Sequence, residues 1–299
     1  MSIELEIESI MNANPFNQPS SRYTLMMISA KGGVGKSTMT VNLAAALTAR
    51  GKKVGIFDAD LYGPNIPALL GIRQKRSLDF RREENMFPIE ARPDALDLRP
   101  LQPFERYGIK LMSMALLVGD DQPIAPESSA AGAVIATLLR RVDWGDCDVV
   151  LIDMPPGTGE PLLTFVRSRL VDGALLITTR EQLAHLDNGR LVNLLGTQRV
   201  PVLGVVENMT HVICPNCGEL IELYPAPAEG KAAYNGATVL ASIPFHPHLI
   251  RQNWREPPLS QPESPATQAL LALADSVISK IVSGIRSEEP PQDDCVDCP

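Results

Sequence analysis

Residues 23–40 read YTLMMISAKGGVGKSTMT. An apolar run rich in strand formers runs into the glycine-rich loop Gly32, Gly33, Val34, Gly35, and Lys36, Ser37 and Thr38 open a segment of helical pattern that reaches Arg50. Strand, loop and amphipathic helix in that order are the setting of a phosphate-binding loop. The glycines let backbone N–H groups close around phosphates, Lys36 reaches the β/γ oxygens, Ser37 ligates Mg²⁺, and the helix N-terminus favours the anion. The strict pattern G-x-x-x-x-G-K-[ST] has one departure, Ala30 in its first place. Lys36 already serves the terminal phosphates, so Lys31 calls for a different partner.

Working outward, further apolar runs (KVGIF, IKLMSM, DVVLID, GALLIT, PVLGVVE, TVLASI) alternate with helical patterns over 37–50, 127–141 and 181–196. Continuous apolar strands alternating with helices indicate an α/β fold, a doubly wound and mostly parallel sheet with helices on both faces. Two of these strands end in acid, one at Asp58 with Asp60 just beyond and one at Asp153, and each runs into a Gly- and Pro-rich turn. In open α/β sheets ligands bind at that edge. Residues 1–22 read as a flexible leader and 23–286 as the phosphate-loop domain, with a cysteine-pair insertion near 208–236. Residues 73–107, charged and proline-dotted, read as an elaborated connection. Ser264 and Pro265 open a helix whose Leu270, Leu273, Val277, Ile281 and Ile285 recur at helical spacing. Residues 287–299 read as an acidic, disordered tail.

The 299 residues are 44% hydrophobic, enough for a full core. Net charge is −8 and the 27 Lys and Arg are scattered, so the cationic face that tracks nucleic acid is missing and no nucleic-acid partner is expected. The leader is acidic rather than basic, and no apolar run approaches the about 18 residues that span a bilayer; the expectation is a cytoplasmic protein with no membrane partner. Four of the five cysteines form two C-x-x-C pairs, Cys214 with Cys217 and Cys295 with Cys298, which suits metal or redox chemistry better than a disulfide framework. C-P-N-C-G at 214–218 is also the pattern of a zinc knuckle, and the tail pair supplies two alternative ligands. Cys147 reads as a small core residue and His211 as a loop histidine.

KGGVGKST, with its early lysine, resembles the deviant Walker A loop of the MinD, ParA and nitrogenase iron protein group of ATPases. The resemblance implies ATP and Mg²⁺ as cofactors and a homodimer in which Lys31 crosses to the nucleotide held by the other subunit. It implies that Asp60 orients the attacking water, Asp58 helps hold Mg²⁺ or its waters, Asp153 joins the Mg²⁺ shell and senses the γ-phosphate through Gly157, and Asn208 reads the adenine edge. DADLYGPN, DWGDCDVVLIDMPPGTGE, PVLGVVENM and ENMTHVICPNCGEL together resemble the Mrp, or ApbC-like, family of iron–sulfur cluster carriers from about Thr24 to Arg251. That likeness implies a [4Fe–4S] cluster held between two subunits by Cys214 and Cys217 of each, slow ATP hydrolysis, and delivery to apo iron–sulfur client proteins. Glu160, and Arg180 with Glu181 in place of Pro-Gln, depart from the family pattern. Two other readings stay open: a MinD/ParA-like positioning ATPase with zinc or no metal, and a reductase component resembling the nitrogenase iron protein.

Overall fold

A computed structural model of the protein describes residues 21–60, 63–72, 100–113, 116, 128–214, 216–225, 234–250 and 259–284. The expected leader up to residue 20, most of the 73–107 connection, Ile285 and the tail with Cys295 and Cys298 lie outside the described residues.

Eight strands form one sheet: β1 (Tyr23–Ile28), β2 (Val54–Asp58), β3 (Phe104–Arg106), β4 (Ile109–Ser113), β5 (Val149–Asp153), β6 (Gly173–Thr178), β7 (Val202–Glu207) and β10 (Val239–Ser242). Their order is β10-β7-β6-β1-β5-β2-β4-β3, parallel except for β3. The short strands β8 (His211–Ile213) and β9 (Leu220–Glu222) pair as a separate antiparallel hairpin. Every strand expected from the apolar runs is present. β3 was not foreseen; it is short and largely exposed, and it turns into β4 through Tyr107 and Gly108, both at positive φ (54° and 73°), as a two-residue hairpin turn requires.

Because successive side chains of a strand point to opposite faces, β1 feeds both halves of the core. Leu25 and Met27 pack with helices α1 (Lys36–Ala49) and α7 (Pro265–Val282) on one face. Met26 and Ile28 pack on the other face with α3 (Ser128–Arg141), α4 (Glu160–Arg167) and α5 (Gln182–Thr197). Two single-turn segments, α2 (Ile66–Leu69) and α6 (Pro247–Ile250), sit near the strand ends.

Helix α1 corrects one expectation. It is buried on nearly all sides rather than amphipathic, since α7 packs on its outer flank and leaves Met39, Val41, Leu43 and Leu47 no solvent. Helix α7 starts as the sequence indicates: Ser264 Oγ accepts from the Thr267 N–H at 3.1 Å, Pro265 is the first helical residue, and Leu270, Leu273 and Val277 are buried. Strand β1 has β5 on one side and β6 on the other, so chain order reverses there. A reversal point of this kind leaves a crevice at the carboxyl edge of the sheet. The phosphate-loop residues follow β1 directly into it.

Candidate functional site

The loop after β1 gets its shape from two glycines in the left-handed region, Gly33 at φ 82° and Gly35 at φ 83°. Gly35 is also the N-cap of α1 and makes no side-chain cap, so the first N–H groups of that helix face the loop. A Cβ on Gly35 would lie 2.5 Å from Asn208 Nδ2. Asn208 uses this close approach to donate from Nδ2 to the Val34 carbonyl at 2.9 Å, while its own N–H donates to Thr178 O at 2.7 Å. The end of β7 thus braces the phosphate loop.

Asp153, fully buried at the end of β5, gathers the polar groups of the loop. Its Oδ1 accepts from Lys36 Nζ at 2.6 Å and from Thr40 Oγ1 at 2.9 Å, and its Oδ2 accepts from Ser37 Oγ at 2.5 Å. Strand register sets Asp58 beside Asp153 and Ser113 beside Asp58. Asp58 accepts from Ser113 Oγ at 3.0 Å and from the N–H groups of Ile66 and Asp60 at 3.3 Å each. Burial first, and the charge of Asp153 second, push its carboxyl up to about 8 against those hydrogen bonds. The Gly157 N–H donates to Ser29 O at 2.9 Å, joining the turn after β5 to the start of the loop.

A cavity of about 660 Å³ opens over this floor. Residues 31–38, Asp60 and Asn208 line it; Asp58 and Asp153, both fully buried, and Gly157 are not among the lining residues. Met209, Pro244, Phe245, His246 and Leu249 form a wall that sequence reasoning missed, its only trace being IPFHP after the last strand. Thr40 and Ser113 were missed too, because their partners are set by strand register rather than by spacing. The donor set fits a magnesium nucleotide. Hard oxygen donors converge at Ser37 and Asp153, and Ser29 Oγ on the cavity wall is buried with no hydrogen-bond partner among the described residues.

Six residues beyond Asn208, Cys214 begins the turn of the β8–β9 hairpin. Its N–H donates to Glu219 O and its carbonyl accepts from the Gly218 N–H, both at 2.9 Å, with Gly218 at φ 74°. The N–H of Cys217, then that of Asn216, then the Cys217 thiol hydrogen-bond the Cys214 sulfur and hold its thiol below the usual range. Cys217 is exposed and Cys214 half-buried. Among the described residues no group of three or more His, Cys, Asp or Glu is arranged to hold a metal ion, so His211 does not complete a site with the pair. Cys147 is buried in the core, and burial pushes its thiol up.

The family model described as the NUBPL iron-transfer P-loop NTPase, of the ParA group, matches residues 20–278. The chain belongs to this family. An iron–sulfur cluster carrier protein of Pyrococcus abyssi is 37% identical over 269 residues, covering 87% of each chain. The iron–sulfur cluster transfer protein NUBPL of Dictyostelium discoideum is 35% identical, covering 85% of this chain and 75% of its own. Among solved structures, the nucleotide-binding protein of Archaeoglobus fulgidus in complex with ADP superposes with a TM-score of 0.61 at 28% identity, covering 91% of this chain and 93% of that one. The description of the family joins a P-loop NTPase to iron transfer.

Proposed function

We propose that the protein is an ATP-dependent iron–sulfur cluster carrier that binds a [4Fe–4S] cluster between two copies of the chain and delivers it to apo-proteins. The observation that carries this reading is the Cys214–Cys217 hairpin, rooted at the strand end that braces the phosphate loop. A cubane cluster takes four thiolates. The described residues of one chain bring two together, so a two-fold pair of hairpins supplies the full set. Leu220, Ile221, Leu223 and Tyr224, beside the pair, are exposed, the mark of a surface that another protein covers.

In this reading the pre-formed loop and the N-terminus of α1 bind the phosphates. Lys36 and Ser37, whose side chains each donate to Asp153, turn to the phosphates and the cation. Mg²⁺, when bound, neutralises phosphate charge during transfer. Asp153 and Asp58 supply the carboxyl groups behind it, Asp60 orients the attacking water from the cavity wall, and Gly157 links the turn after β5 to the loop. Lys31, at the mouth, adds positive charge to the nucleotide of the second copy, as an arginine finger does. Asn208 meets the base. Hydrolysis is slow, and it gates cluster loading or release.

Iron, acid-labile sulfide and zinc are to be measured per dimer after anaerobic reconstitution. The expected result is about four iron and four sulfide, lost in Cys214→Ala and kept when the chain is cut before Cys295. Stoichiometric zinc that resists replacement, or no metal, would refute the carrier reading and favour a positioning ATPase.

A further inference from the structure

We propose that Arg180 is a positioning residue that ties the nucleotide side of the fold to the cysteine hairpin. The inference rests on the carrier reading for its purpose and on side-chain geometry for its substance. Arg180 stands just after β6. Its Nε donates to Glu207 Oε2 at 2.8 Å and its Nη2 to Ser242 Oγ at 3.3 Å. Glu207, buried at the end of β7, also accepts from Ser242 Oγ at 2.9 Å and from Tyr234 OH at 3.0 Å. The third arm of the fork, Nη1, lies 3.8 Å from Oε1 of Glu222 on β9, the strand that returns from the cysteine pair.

Each end of this bridge meets one functional part. Glu207 is the residue before Asn208, whose side chain holds the Val34 carbonyl of the phosphate loop. Thr178, two residues before Arg180, accepts the Asn208 N–H. On the far side, the hairpin is fixed at its base by Phe245 N–H to His211 O at 2.8 Å and Leu223 N–H to Thr210 O at 3.0 Å. Glu222, paired with His211, adds a side-chain tie at the same base on the return strand. A planar guanidinium can serve two carboxylates at once, and a lysine ammonium cannot reproduce that fork. Nucleotide that settles against Asn208 steadies the end of β7, and Arg180 passes that order to β9.

The test is amide hydrogen exchange by mass spectrometry on the full-length, cluster-free protein with and without Mg-ADP. In the wild type, Mg-ADP slows exchange in the 210–224 peptide by about threefold, the size expected for one partly exposed ion pair. Arg180→Ala would leave Glu207 buried without its cation and risks misfolding, so Glu222→Gln is the decisive variant. It keeps ADP affinity and protection of the phosphate loop and loses the slowing in the hairpin; Arg180→Lys retains only part of it. A role in stability alone would change baseline exchange and leave the ADP-dependent difference intact. Hairpin slowing of equal size in wild type and Glu222→Gln, or none in wild type, overturns the proposal. Since the assay needs no iron, the coupling is measured whether or not the cluster stoichiometry supports the carrier reading.

Discussion

Gly35→Ala tests how closely β7 presses on the phosphate loop. Two costs add. An alanine at φ 83° takes on left-handed strain of about 1–2 kcal/mol. Its Cβ would also lie 2.5 Å from Asn208 Nδ2, forcing that side chain off the Val34 carbonyl. A buried hydrogen bond lost in this way costs about 1–3 kcal/mol. The sum is about 2–5 kcal/mol in urea unfolding of the nucleotide-free protein. Gly33→Ala is the internal control, because it has φ 82° and nothing within 4 Å of the added Cβ. It should cost the strain alone. In an Asn208→Ala background, the nearest atom left to Gly35→Ala is the flexible tip of Met209, at 3.1 Å, and its cost should fall close to that of Gly33→Ala. Equal costs at the two glycines, or no relief from Asn208→Ala, would refute the brace between β7 and the loop.

Asp58, with its carboxyl at about 8 in the fold, retains a proton there at pH values where the unfolded chain has lost it. The unfolded state therefore binds fewer protons, and stability falls as pH rises from about 4 to 8, by up to about 1.4 kcal/mol per pH unit from this group. Asp58→Asn should lack that slope in nucleotide-free denaturation between pH 5 and 7.5; parallel curves would count against it. Lys36→Met leaves the fully buried Asp153 without its cation and should cost about 3–5 kcal/mol. Adding Asp153→Asn should restore most of that loss in the same urea titration, and failure to do so would show that Lys36 stabilises by other means. Lys31→Ala should lower ATP hydrolysis by about a hundredfold or more with ADP affinity kept within about twofold. A matching loss of ADP affinity would assign Lys31 to its own subunit's pocket.

The parallel sheet was legible because its strands are buried on both faces and so appear as unbroken apolar runs, and each run from YTLMMIS to TVLASI became a strand. The loop was legible because glycines with positive φ cannot be replaced cheaply, which leaves a dense local signature at 32–35. Residues that meet through strand register were not legible. Ser113 lies beside Asp58 only because β4 pairs with β2, and Thr40 reaches Asp153 across 113 residues. The cysteine hairpin was hidden for another reason. Its strands have three residues each and β9 is exposed on both faces, so no apolar alternation marks them. The spacing of Cys214 and Cys217 found the ligands but not the scaffold that presents them. Arg180 stood out only as a departure from the family pattern, and its contact with Glu207 needed β6, β7 and β10 side by side.

The pairing of Lys36 with Asp153 also sets a timetable for synthesis. The two residues are 117 positions apart, and Asn208 follows Val34 by 174. At ribosomal speeds of about 5–20 residues per second, the lysine waits roughly 6–23 s for its carboxylate and the loop roughly 9–35 s for its asparagine. Through that interval the nascent chain carries a glycine loop with neither its counter-charge nor its brace. Cys214 emerges only six residues after Asn208. Phe245, which lines the cavity and whose N–H holds the hairpin at His211 O, follows later still, so the thiol pair is made before the far wall of the cavity and before the anchor of its own hairpin.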